Sequence, residues 1–539
     1  MEQNRIFKML NYVLLIFLVV QPIFDIYMAV VGESLDIFGI SIVTLIRTIT
    51  VTAMVVILAI YQIKTKYKTK WLYILLSYIA LVVVYMVIHH FNIVVSGGYY
   101  VSQGIYNILT EIMYVLRLVV PIILIYIVLV IKPEKRKIEK CMVIAAAIVS
   151  TIILLTNLLE VSFASYATFK TDSKIIEYNV IDWFFSQEIP YKLALSKGYF
   201  VSANQIGALL VLLLPVVMYV LLRDNKISTY LIFIVQIISM VLIGTRVASY
   251  GFMIVSILML IAHILVNIIK KEKINLLQII IIAIIIEIGV GLYLISPAQN
   301  RDDLSKLEGL YIDESISLQD KEYMELDEFN NILKDEKLLK EYIKDEEYNT
   351  DSDIKIVAIC KYISDNHALH SITEKYIRNI YPYNEDPEFW FELFNKPASV
   401  KGDNRAKQSI IIKRIKEKNN NFALDTIVGM GATPMNSREY MIENDLISHY
   451  YNLGIIGIIL FVAPYLVSML YVLIKCIRKI KRLFDLRIIT YMLSVIMTFV
   501  VGLCAGHVID EYIITIYLAV ISGALFNIKS KEGDVNEKS

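Results

Sequence analysis

Cysteine is scarce in this chain. Its 539 residues include four, Cys141, Cys360, Cys476 and Cys504, and only Cys360 falls in the one long polar segment, so a disulfide framework is not expected. Histidine numbers seven. His367 and His370 have the spacing that sets two ligands on one helical face, but no third ligand stands at a telling distance, and neither a metal nor a cofactor is expected. A heptad array, a lipoprotein motif and a repeat of about 20–50 residues are also missing. Charge is thin, at 19% of residues against 57% hydrophobic. With a mean hydropathy of +0.61, a soluble domain is excluded. The formal net charge of +1 says little about partners, because the charges are segregated by side of a membrane; no nucleic-acid partner is expected.

What fills the chain is apolar sequence in long runs. A helix needs about 18–20 such residues to cross a hydrocarbon core of about 30 Å. About twelve stretches qualify: 9–31, 37–62, 70–90, 112–131, 141–160, 203–222, 228–245, 247–269, 275–297, 449–474, 487–506 and 510–528. The first follows a short basic leader and lacks a small-residue cleavage site, so it reads as a retained helix. The fold class is therefore an all-α polytopic membrane protein with about twelve transmembrane helices. Its domains are a membrane region over 1–297, a mainly helical insert over 298–447, and a last membrane region over 448–539.

Lysine and arginine set the sidedness. Basic clusters recur at Arg5 and Lys8, Lys64 to Lys70, Lys132 to Lys140, Arg223 and Lys226, Lys270 to Lys273, Lys475 to Arg487, and from Lys529. These fall at every second connection, whereas short connections such as 32–35 carry almost none. Both termini are expected in the cytoplasm, with the insert outside.

The insert turns from acidic (Asp302 to Glu328) to basic (Arg405 to Lys418). Helices are expected over 352–364 and 404–418, the second with Ile411 and Ile415 on its apolar stripe. A shorter outer loop over 161–201 carries Trp183, Phe184 and Phe185, which suit either an interfacial belt or a sugar-stacking wall. Polar residues also interrupt the apolar runs: Gln21, Asp25, Arg47, Glu111, Arg117, Asn204, Gln205 and Arg246. A charge at the centre of a span costs about 2.5–3.5 kcal/mol, so such groups pair across helices or line an aqueous cavity. Arg246 ends one span and opens the next, where a guanidinium can either fork onto phosphate oxygens or anchor at headgroups.

The densest signal closes the insert. Gly429 and Gly431 permit a tight turn, and Glu443, Asp445 and His449 follow just before an apolar helix. Glu443 is also a candidate cap for that helix, and His449 a polar residue at its start. A carboxylate there is suited to remove a proton from a hydroxyl.

The order of these features resembles the O-antigen ligase and polymerase family. The resemblance rests on Phe200-Val-Ser-Ala-Asn-Gln205, Gly244-Thr-Arg246, the large insert, Gly429-Met-Gly431, a polar pair and Asn452-Leu-Gly-Ile-Ile-Gly-Ile458. It covers about 195–470 by motif and the rest by topology. It implies a glycosyltransferase C-like fold in the bacterial cytoplasmic membrane and a metal-independent, inverting glycosyltransferase. The implied donor is an undecaprenyl-diphosphate-linked glycan. The acceptor is a glycan or another surface acceptor, and membrane lipids surround the site. Arg246 matches the family's diphosphate-binding arginine; Arg405 or Arg414 is the second clamp, with Arg47, Arg117 and Asn204 as further substrate contacts. Ligases carry a His-Asn pair where this chain has Glu443-Asn444, so the base is expected to be a carboxylate: Glu443 first, with Asp445 and His449 behind it. The competing reading is a multispanning transporter or exporter of lipid-linked glycans, although no inverted repeat relates the two halves.

Overall fold

The computed structural model describes residues 2–31, 36–37, 40–96, 106–166, 175–186, 189–300, 323–346, 353–370, 372–401, 403–419, 422–435, 442–477 and 485–527. The acidic run over 302–322, the 32–35 connection, the basic run over 478–484 and the tail from Lys529 lie outside them. Among the described residues the architecture is helical, apart from a two-residue hairpin pairing Asp36–Ile37 with Ile40–Ser41 and two isolated bridges. Among the described residues, ten helices are long and apolar enough to cross a membrane, and two shorter apolar ones, Ile227–Ile243 and Tyr512–Phe526, accompany them. The chain divides into two compact units.

The first unit comprises Met1–Val84, Ile112–Asn300 and Ile458–Ser539. At its centre is the Ala203–Asp224 helix, apolar all round and buried along its length, as such a helix must be. Glycines bring its neighbour close: a Cβ on Gly251 of the Arg246–Lys270 helix would stand 2.3 Å from Val211. Glu139, fully buried, accepts from Arg223 Nη1 at 2.5 Å and Tyr491 Oη at 3.0 Å, and Arg487 Nε lies 2.8 Å away. Both guanidiniums rest on the Tyr219 ring, at 5.3 and 5.6 Å. One carboxylate thus ties together the Lys135–Leu158, Ala203–Asp224 and Leu486–Ala505 helices.

The second unit comprises Tyr85–Glu111 and Arg301–Gly457. Its core is carried by the helices Ile354–Asn366 and Pro387–Phe394, which supply aromatic rings, and Asn404–Lys418, which supplies isoleucines. Ile411 and Ile415 face inward and are fully buried, as their spacing requires. Phe329 stacks on Tyr362 at 4.1 Å and His370 on Phe394 at 4.2 Å. The His370 ring is spent on neighbours: Lys401 Nζ donates to Nδ1 at 3.2 Å, and Nε2 meets Tyr362 Oη at 3.0 Å. His367 Nδ1 donates to the Ile372 carbonyl at 2.7 Å.

These groups give this unit a pH dependence. Burial, with the Lys401 ammonium, pushes His370 down to about 4. Burial acts to raise Asp386, but hydrogen bonds from Arg414, Tyr381 and Lys418 outweigh it and hold the carboxyl at about 2. Between its ordinary value of about 6.5 and its folded value, His370 binds fewer protons when folded than when unfolded, so stability drains away as pH falls through that window. The Asp386 contribution is present above about pH 3.8 and is lost on further acidification. The urea midpoint of Trp390 emission, read in full-length chain with Trp71 and Trp183 replaced by Phe, should be lower at pH 5 than at pH 7. His370→Gln should shrink that difference; an unchanged difference would remove His370 from the account.

Candidate functional site

The Gly429–Gly431 turn is held by a break in another helix. Within Asp445–Phe461, Gly454 has φ 67° and ψ −175°, values outside the helical region. The interruption frees carbonyls just before it. Tyr451 O accepts from Met430 N at 2.8 Å, Asn452 O from Gly431 N at 3.0 Å, and Leu453 O from the Tyr85 hydroxyl at 2.8 Å. Gly429 has φ +86°, and a Cβ there would stand 2.3 Å from Asn452 O. A Cβ on Gly454 would meet Gly429 N and the Ile427 carbonyl at 2.5 Å. Backbone therefore packs on backbone, which only glycine allows at both positions.

Side chains from apolar helices serve the rest of the turn. Tyr85, His89 and Asn92 share one face of the Thr69–Ser96 helix. Val428 O accepts from His89 Nδ1 at 2.7 Å and lies 3.1 Å from the Tyr85 hydroxyl. Asn92 Nδ2 donates to Asp425 Oδ1 at 2.8 Å and to Gly429 O at 3.0 Å. The Glu111 carboxylate accepts from the Ala432 and Thr433 amides at 2.9 Å each and from the Thr433 hydroxyl at 2.8 Å, and it meets His89 Nε2 at 3.1 Å. Glu111 therefore partners a histidine and two backbone amides. The sequence signal for this cluster is the i, i+4, i+7 spacing of Tyr85, His89 and Asn92, which sets three polar side chains on one face of a mainly apolar helix.

Beyond the turn stand the carboxylates. Glu443 and Arg405, 38 positions apart in sequence, meet at 3.2 Å between Oε2 and Nε, both half-exposed. The Glu443 amide donates to Gln408 Oε1 at 3.0 Å, fixing the strand of chain that carries the carboxylate. Asp403 caps the Asn404–Lys418 helix, accepting from the Arg405 and Ala406 amides, and so fixes where Arg405 emerges. Arg414, on the same helix, is bound by both oxygens of Asp386, at 2.7 and 3.2 Å. Asp445 opens the next helix and is buried; its carbonyl accepts from His449 Nδ1 at 2.5 Å. A carbonyl only accepts, so the proton sits on Nδ1 and the buried Nε2 carries a lone pair with no partner among the described residues.

The remaining sequence candidates belong to the first unit. Arg246 is the exposed first residue of its helix, behind Gly244 at φ 67° and the Thr245 N-cap. Asn204 is exposed in the first turn of Ala203–Asp224. Arg47 is buried, donating to Gln21 Oε1 at 2.8 Å and Gln21 O at 3.3 Å, with the Phe24 ring 5.7 Å away. Asp25 accepts from the Val201 amide at 3.1 Å. Arg117 faces Glu511 at 3.9 Å and is partly exposed. In the second unit the structure brings together Arg405 with Glu443 and Asp445 with His449; Arg414 it gives to Asp386.

Neither the curated proteins nor the solved structures contain a match to this chain. The family described as O-antigen ligase like membrane protein matches residues 8–531. That is nearly the whole chain, and it agrees with the ten apolar helices. The chain belongs to the O-antigen ligase-like membrane protein family, and is a multi-pass membrane protein with a role in surface polysaccharide assembly.

Proposed function

We propose that this protein is a glycosyltransferase that moves a glycan from undecaprenyl diphosphate to a hydroxyl of a second glycan or another surface acceptor. It works on the outer face of the bacterial cytoplasmic membrane, by a metal-independent displacement with inversion. Twelve crossings, ten long and two short, put both termini in the cytoplasm and the segment 298–447 outside; the alternating basic clusters support this.

The observation that carries the reading is the Arg405–Glu443 pair. The reaction has two electrostatic needs. The attacking hydroxyl must lose its proton as its oxygen bonds to the anomeric carbon, and the departing diphosphate must be stabilised as the bond from that carbon to phosphate oxygen breaks. Glu443 is the general base for the first. The Arg405 guanidinium serves the second, with a fork suited to phosphate oxygens. Diphosphate leaves without protonation, so no general acid is needed. Arg414 is the weaker clamp, because Asp386 already occupies its fork. Arg246, exposed at a helix start, is assigned to diphosphate by the family resemblance, and Asn204, Arg47 and Arg117 to further substrate contact. Asp445 positions His449 through its carbonyl. One observation favours a second base: the unpartnered Nε2 of His449.

Surface glycan from a deletion strain tests the reading. A ladder collapsed to one repeat unit identifies a polymerase, and full-length chains stranded on lipid identify a ligase. Normal glycan would refute both.

A further inference from the structure

We propose that residues 422–435, within the segment otherwise placed outside, dip back into the membrane as a re-entrant element, with the exposed apolar face of its first helix against lipid hydrocarbon. Three observations carry it, all within the second unit, and none depends on the catalytic reading. The first is depth. Val428 O accepts from His89 and lies beside the Tyr85 hydroxyl, and Asp425 accepts from Asn92. All three side chains belong to the membrane-crossing Thr69–Ser96 helix. At 1.5 Å per residue, Tyr85, His89 and Asn92 lie roughly 14, 8 and 3 Å in from the Val94 end of the apolar span, which places the turn in the outer part of a core of about 30 Å. Glu111, the fourth residue of the apolar Ile108–Ile131 helix, holds the other arm at Ala432 and Thr433.

The second observation is that the amides from Gly429 to Thr433 and the Val428 and Gly429 carbonyls are all met by protein groups. Gly429 N donates to Asp425 O, Met430 N to Tyr451 O and Gly431 N to Asn452 O. Ala432 N and Thr433 N go to Glu111, and the Val428 and Gly429 carbonyls accept from His89 and Asn92. An aqueous loop has no need of such provision. Irregular backbone at membrane depth does, since each unmet group there is costly. Buried polar side chains on two apolar helices thereby acquire a purpose.

The third observation is the outward face. The Phe422–Val428 helix exposes Phe422 at 54%, Leu424 at 42% and Ile427 at 43%, while its one carboxylate, Asp425, turns inward. On the Thr69–Ser96 helix, the faces away from the polar stripe are likewise exposed and apolar: Val87, Ile88 and Phe91.

The test places p-benzoylphenylalanine singly at Phe422, Leu424 or Ile427 of the full chain, in vesicles of phosphatidylethanolamine and phosphatidylglycerol with tritiated acyl chains. Leu338, exposed at 43% on the Glu336–Tyr342 helix, is the control. Phe422 is the conservative site should the others disturb folding. Irradiation is expected to transfer acyl label at positions 422, 424 and 427 severalfold above position 338. Label no higher than the control would overturn the proposal in favour of a water-facing loop. Crosslinking of one chain to another at these positions would overturn it in favour of a face covered by a second copy.

Discussion

Glu443→Gln is expected to slow glycan transfer by about 10²–10⁴, the usual loss on removing a general base. The amide keeps the size of the carboxylate and its hydrogen bonding to Arg405, but it cannot take the hydroxyl proton. Glu443 is half-exposed, and substitutions at such positions shift stability by no more than about 0.5 kcal/mol, so folded protein should remain. Donor binding should survive, because the proposed diphosphate clamp is an arginine. Arg405→Lys should do the opposite, weakening donor binding as well as rate, since the charge persists without the fork. The measurement is elongation of purified lipid-linked units, with donor binding read in parallel. Asp445→Asn should be mild. A near-normal rate for Glu443→Gln beside a collapsed rate for His449→Gln would move the base to the unpartnered Nε2 of His449.

Gly429→Ala should be severe for a different reason. The new Cβ would meet Asn452 O at 2.3 Å and Leu453 N at 2.5 Å, backbone atoms that cannot swing aside. The φ of +86° adds strain for any residue with a Cβ. Relief requires the turn to lift off the Gly454 break, which forfeits the Met430–Tyr451 and Gly431–Asn452 hydrogen bonds. The cost is expected at about 3–5 kcal/mol, in the range reserved for backbone conflict in a packed site. Gly454→Ala attacks the same contact from the other side, so the double variant should cost less than the sum. Gly291→Ala is the control, since its Cβ would meet nothing within 4 Å. Thermal unfolding in detergent reads all four. A Gly429→Ala midpoint equal to that of Gly291→Ala would mean the turn is not packed as described.

Hydropathy made the membrane-crossing helices legible, because a span must be apolar along its whole length. Short-range periodicity likewise placed the Asn404–Lys418 helix and the inward face of Ile411 and Ile415. What sequence cannot express is pairing across long separations. Arg405 and Arg414 were equal candidates until Asp386, 28 residues from Arg414, took the second. Nothing in the sequence groups Tyr85–Glu111 with the segment after Arg301. The clue was there in part: a histidine and an asparagine on one face of an apolar helix imply a polar partner, but not which carbonyl or carboxylate it is. Gly429 and Gly431 spell a turn in the sequence, whereas nothing there marks Gly454 as a break within its helix.

The central claim is that this protein makes a glycosidic bond at the expense of a lipid diphosphate. Purified protein in liposomes, supplied with an undecaprenyl-diphosphate-linked glycan and an acceptor glycan, measures this directly. The account predicts a lengthened glycan with an inverted anomeric linkage, one undecaprenyl diphosphate released per bond, and undiminished product in the presence of a chelator. Intact lipid-linked glycan that appears on the opposite leaflet with no new bond would contradict it, and would make the protein a transporter.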